Sequence, residues 1–193
     1  MKLIYKGKFD GDQKSLPHGE HMPGAVKFKE FDDPKKMGLF ANGVALVIII
    51  ALVGILFWRG GMKAYNLMGV LAAFLSAFPH EFLHAVCFKK EVYLYTNWKQ
   101  GMLFVVGPED MSKVRFIFMS MLPNLVFGII PFIIFLVFPQ FGFLGTLGAF
   151  AAGMGAGDYY NVYNALTQMP KGARTYLYQF NSYWYMPRGK ETC

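Results

Sequence analysis

This sequence predicts an all-α polytopic membrane protein with about four transmembrane helices and a small cytoplasmic β-hairpin between the second and third. Three observations carry that prediction. Hydrophobic residues make up 54% of the 193 and charged ones only 16%, a balance too apolar for an ordinary soluble domain. The apolar residues are gathered into four runs, each near the length needed to cross a bilayer. The Lys and Arg behind the net charge of +7 lie mostly in segments flanking those runs, where the cytoplasmic preference of basic residues accounts for them without a nucleic-acid partner.

Residues 1–38 read as a polar tail interrupted by Pro17, Pro23, Gly24 and Pro34, with no apolar core to serve as a leader. Only residues 25–31 alternate in the manner of a strand. His18 and His21 hint at metal binding, but Pro17 and Pro23 prevent a helix there and the stretch reads as a solvated loop. The first run, 39–58, holds no ionisable residue and closes on Trp58 and Arg59, an interfacial pair. A tight turn at 60–63 leads to the second run, 65–88.

Residues 92–96 and 102–106 are β-like and flank 97–101, which predicts a hairpin with a five-residue loop inside the polar segment 89–115. The third run, 116–138, contains Pro123-Asn124 and Pro131, which kink a helix and free backbone carbonyls. The fourth, 143–166, carries Gly145, Gly148, Gly153, Gly155 and Gly157, small residues that let helices approach closely. A basic, aromatic tail at 167–193 suits the headgroup layer, leaving 39–166 as the transmembrane domain. Cys87 and Cys193 imply no disulfide framework, and Cys87 reads as a small buried hydrophobe. The two tails and the hairpin segment hold 8, 4 and 5 cations, against 2 and none in the two tight turns, which puts both termini in the cytoplasm.

The chemistry lies in the second run, at His80-Glu81-Phe82-Leu83-His84. On a helix, histidines four apart stand one turn above each other on one face, so both imidazoles reach a single ion. Glu81, directly after the first, stands where zinc hydrolases keep the carboxylate that deprotonates water. Within the four runs the ionisable groups are His80, Glu81, His84 and Asp158. Each charge at mid-bilayer costs roughly 2.5 to 3.5 kcal/mol on insertion scales, so the four need a shared reason to be there. His80 lies fifteen residues into the second run and Asp158 fifteen into the fourth, which places them at similar depth and makes Asp158 the natural third ligand. Two imidazoles, a carboxylate and a water form an open catalytic Zn2+ site. Water made acidic by zinc then gives its proton to Glu81, and the hydroxide attacks a peptide carbonyl. Asn124, beside Pro123, is a candidate second donor to the oxyanion, and Asn161 and Asn164 are candidates for orienting the ligands; interhelical hydrogen bonding accounts for all three equally well.

His80-Glu81-Phe-Leu-His84 in one run, a following β-hairpin, Pro123-Asn124 in the next run and Gly155-Ala-Gly157-Asp158 in the last resemble the bacterial membrane family of putative zincin peptidases, related to site-2 proteases. The resemblance spans about residues 39–166. It implies zinc held by His80, His84 and Asp158, Glu81 as general base, and cleavage of a membrane protein or peptide substrate near the cytoplasmic face. It also implies that the edge of the hairpin receives an unwound substrate strand. Site-2 proteases carry Leu-Asp-Gly at the aspartate, whereas this chain has Gly157-Asp158-Tyr159.

Two rival enzymes or carriers fail on chemistry. Gly155-Ala-Gly-Asp158 also resembles the presenilin-type aspartyl protease motif, but no second aspartate lies in any run to share its proton. Histidines on one helix face cannot occupy opposite axial positions of one haem. A non-catalytic, metal-binding membrane scaffold or chaperone-like protein remains the alternative, and Glu81 is what separates it from a protease. The sequence sets no oligomeric state.

Overall fold

The structure, a computed structural model, describes residues 1–97 and 101–187. It contradicts an all-α, four-span protein. Seven strands form two sheets among the described residues, and two helices are long and apolar enough to cross a membrane, or three if a bent pair is one span.

The first long helix, α1 (Pro34–Gly60), starts where Asp33 accepts from the Lys35 N–H and Pro34 supplies a preset φ in the first turn. Its outer face is apolar and exposed, with Leu46, Val47, Ile50 and Trp58 open to the surroundings, as a lipid-facing surface requires. The second apolar run is not one helix. It divides into α2 (Leu67–Leu75) and α3 (Ala77–Val86), bent by 45° at Ser76. Pro79 is the cause: it has no N–H for the carbonyl of Leu75 and its ring crowds that same group, so the helix breaks four residues before it.

α4 (Lys113–Pro123) passes through a π-helical turn, Asn124–Ile129, into α5 (Ile130–Val137), and the three together form the second long apolar helix. The fourth run breaks at Gly155 into α6 (Gly142–Met154) and α7 (Ala156–Gln168). With 13 residues, α6 is about 20 Å long, short of the ~30 Å hydrocarbon layer. α7 cannot extend the apolar length because Asp158, Asn161, Asn164 and Gln168 line it. Leu56, Ala64, Phe132, Phe135 and Ala149 form the buried core among the helices.

The strands gather the polar segments. In the first sheet β1 (Lys2–Lys8) runs parallel to β3 (Glu91–Asn97), which pairs antiparallel with β4 (Met102–Val106). The expected hairpin is present, with Asn97 opposite Met102; its loop residues 98–100 lie outside the described residues, as does Cys193. The second sheet runs β2 (Val26–Lys27), β7 (Asn181–Tyr185), β6 (Arg174–Tyr178), β5 (Met111–Ser112), all antiparallel. Residues 2–8, read as irregular, are thus a strand whose partner lies 89 positions away, a pairing that no local pattern reveals. The aromatic tail becomes a hairpin turning at Gln179 (φ 56°) and Phe180. β2 precedes α1, β5 lies between α3 and α4, and β6 and β7 follow α7. One sheet therefore joins all three polar segments at the same end of the helices.

Glu30 fastens the segment before α1 to β7: its carboxylate accepts from the Ser182 N–H and from Asn181 Nδ2 at 3.4 Å. Burial pushes this carboxyl up to about 7, only partly opposed by those hydrogen bonds. Since its ordinary value is 4.5, folding takes up a proton between about pH 4.5 and 7, and the stability gained is lost as pH rises through that window. Thermal unfolding in detergent is expected to show the loss, on the order of 3 kcal/mol, and Glu30→Gln is expected to flatten the profile across that range.

Candidate metal centre

α3 is the helix that Pro79 sets off from α2, and it carries His80, Glu81 and His84 within little more than one turn. The imidazole centroids of His80 and His84 are 4.9 Å apart. One ligand atom from each of His80, Glu81 and His84 lies within 4.8 Å of the other two. Asp158, in the first turn of α7, reaches across to the same point. Its Oδ2 is 3.1 Å from His80 Nε2 and its Oδ1 is 3.1 Å from His84 Nε2. Glu81 and His84 are buried, and the side chains of His80 and Asp158 are 12% and 14% exposed, so the cluster is enclosed but not sealed.

His84 fixes its own chemistry. Its Nδ1 is 2.9 Å from the carbonyl oxygen of Met119, which can only accept, so Nδ1 carries the proton. In the neutral ring Nε2 is then a bare lone pair, and it faces a carboxylate oxygen of Asp158. Lone pair against carboxylate is repulsive, and the repulsion is relieved either by a second proton on the ring, which then donates to Asp158, or by a metal ion between the two. A neutral imidazole oriented by a backbone carbonyl is also the usual arrangement behind a metal-binding histidine. Ligands around one tetrahedral zinc stand roughly 3.3 Å apart, given bonds of ~2.0 to 2.1 Å, and the observed 3.1 Å separations match that spacing. The residues present fit zinc.

Met119 is free to serve because of Pro123. In a regular helix the Met119 carbonyl would accept from the N–H of residue 123, and proline has none. Asn124 follows, fully buried at the start of the π turn. Its Nδ2 donates to Asp158 Oδ2 at 2.7 Å and to the Ser120 carbonyl at 3.0 Å. Both amide hydrogens are therefore committed, and Asn124 orients the Asp158 carboxylate instead of facing a substrate oxygen. Asn164 is also buried, but it accepts from Gln168 Nε2 at 2.9 Å, lower on α7. Asn161 is half-buried, with no hydrogen bond to the cluster among the described residues. His18 and His21 pack against Tyr178 near the sheets, apart from this cluster.

Two contributors have no local sequence signal, the Ser120 carbonyl and the backbone amide of Val105, which faces the Glu81 carboxyl from β4, while for the Met119 carbonyl Pro123 signals only that it is free. Backbone groups carry no residue identity, and only the fold brings them here. Gly155 did carry a signal, in the Gly-Ala-Gly-Asp stretch. A Cβ on it would lie 1.6 Å from Asn124 Oδ1, so the bare glycine is what lets Asn124 reach Asp158.

Two imidazoles and a carboxylate converge on one point, with a glutamate beside the first histidine, a donor set that could hold a metal ion. Residues 73–174, rather more than half the chain, match the family described as "Putative zincin peptidase", and the chain belongs to that family. The match runs from α2 to the start of β6 and includes every residue of the cluster. No curated protein and no solved structure matches the chain.

Gly155 and Gly157 provide a paired test. Gly155→Ala is expected to displace Asn124 and destabilise the protein by about 1 to 3 kcal/mol, with weakened metal binding. A Cβ at Gly157 meets nothing within 4 Å, and Gly157→Ala is expected to leave both properties near wild type. Thermal unfolding and metal titration of the two purified variants check this.

Proposed function

We propose that this protein is a membrane-embedded zinc metallopeptidase that hydrolyses peptide bonds of membrane-associated polypeptides near the cytoplasmic face, with Glu81 as general base. The observation that carries the reading is the Asp158 carboxylate, held 3.1 Å from the Nε2 atoms of both histidines of an H-E-x-x-H helix. His80, His84 and Asp158 would hold the ion. Zinc in such a set polarises a carbonyl oxygen and makes a water molecule acidic near neutral pH.

Glu81 takes the proton from that water and returns it to the leaving amine. Its place in the cluster supports this, since its carboxylate stands within 4.8 Å of both imidazoles without being the group they share. β4 supports the substrate assignment. Its Val105 amide lies beside Glu81, and β4 pairs only with β3 among the described residues, leaving its outer edge open. An extended polypeptide can add there through main-chain hydrogen bonds, which brings its carbonyls past the glutamate and matches the edge-strand role that the resemblance to site-2 proteases implies.

The face of the membrane follows from charge. The segments joined by the two sheets hold most of the Lys and Arg, which supports a cytoplasmic position for that end. His84 lies in the last turn of α3, just before the chain enters β3, so the cluster sits near that end.

Elemental analysis and a membrane-peptide hydrolysis assay test the proposal together. Glu81→Gln is expected to retain zinc and lose about 10²- to 10⁴-fold in turnover, whereas His80→Ala and Asp158→Asn lose the zinc itself. Zinc bound in both proteins with turnover no higher than background in either would favour the non-catalytic scaffold in its place, and equal turnover above background would remove Glu81 as the base.

A further inference from the structure

Outside the cluster, one pair of ionic side chains grips the metal-binding helix from the polar end. α3 stops at Cys87, whose N–H already returns to the His84 carbonyl. The Cys87 carbonyl accepts from two nitrogens of Arg115, Nε at 2.8 Å and Nη2. Arg115 Nη2 in turn stands 2.6 Å from Glu109 Oε1. The other oxygen of Glu109 accepts from the backbone amides of Lys89 and Lys90, at 2.7 and 2.8 Å, where the chain enters β3. The Glu109 side chain is only 7% exposed and that of Arg115 23%, so this is not a solvated surface pair.

Arg115 is in the first turn of α4, and Met119 is four residues further along the same face. α4 therefore holds α3 twice: at the Cys87 carbonyl through Arg115, and at the His84 imidazole through the Met119 carbonyl. Sliding one helix by a single residue moves it ~1.5 Å, enough to break a 2.9 Å hydrogen bond.

We infer that Glu109 and Arg115 are positioning residues of the metal centre, setting the height of α4 against α3 so that Met119 holds His84 with its Nε2 turned toward Asp158. The same pair ties the start of β3, and through β3 the β4 edge beside Glu81, to the end of the metal helix. The inference rests on the metallopeptidase reading for its purpose, but not for its geometry. A planar guanidinium is what the contact requires, because one fork must serve a carbonyl and a carboxylate together; lysine keeps the charge and loses the fork.

The test uses the full-length protein in detergent with Arg115→Lys and Glu109→Gln, and Lys2→Gln as a control that removes an exposed ion pair of the same sheet. Cobalt(II) titration, followed by visible absorption, is expected to show affinity about 10- to 100-fold weaker and shifted bands for the first two and no change for the control. In the metal-free protein at alkaline pH, imidazole nitrogen NMR is expected to find His84 held as the Nδ1–H tautomer in wild type and as a mixture in Arg115→Lys. Wild-type tautomer and wild-type cobalt affinity in Arg115→Lys would overturn the inference, and that conservative variant decides the matter if Glu109→Gln does not fold. A wild-type protein that binds no cobalt would instead remove the metallopeptidase reading, while the NMR comparison still decides the positioning role.

Discussion

The hydrogen bond from His84 Nδ1 to the Met119 carbonyl is the constraint on which the centre depends. It exists because Pro123 cannot use that carbonyl to continue its helix, and it settles which nitrogen of His84 is left for the shared point with Asp158. Without it the ring could turn or change tautomer, and Nε2 would no longer be a committed lone pair. A proline placed in an apolar helix is usually described as a kink. Here its missing donor has a chemical result one helix away.

The same logic runs through the other breaks. Pro79 parts α2 from α3 and gives the H-E-x-x-H helix its own direction. Gly155 parts α6 from α7 and starts α7 almost at Asp158. The π turn begins at Asn124, which reaches that aspartate. Irregular backbone within an apolar layer is tolerable only where its freed groups find partners inside the protein. At Pro123 that partner is the His84 imidazole, and the three interruptions lie beside the residues that form one polar centre.

Much of that centre was legible in the residues. The i, i+4 histidines with Glu81 after the first, and the equal offset of His80 and Asp158 in their runs, already direct attention to the groups the structure brings within 3.1 Å. Pro123 already announced a free carbonyl. What could not be read was its recipient, because a main-chain oxygen has no sequence identity. The fold was less legible. Hydropathy marks apolar runs but not whether a run bends, so Pro79 and Gly155 were the only hints that two runs are each a pair of helices. The strands were hidden for a different reason. β1 is seven residues long, rich in lysine and paired with β3 far along the chain, and β2 and β5 have two residues each. The β6 and β7 hairpin was read as an interfacial tail, because its Tyr-rich sequence suits a membrane interface as well as it suits a strand.

The way the sheets are stitched also orders events during biosynthesis. β1 is made first, yet its neighbour β3 emerges only after two apolar segments have left the ribosome, and β2 waits longer still for β7 near the end of the chain. The leading segment must therefore stay unpaired while the apolar helices are made, and the later strands close the two sheets. Contacts between such remote positions form slowly, so newly made molecules pass through an interval in which the helices have formed but the sheets that join their ends are still open.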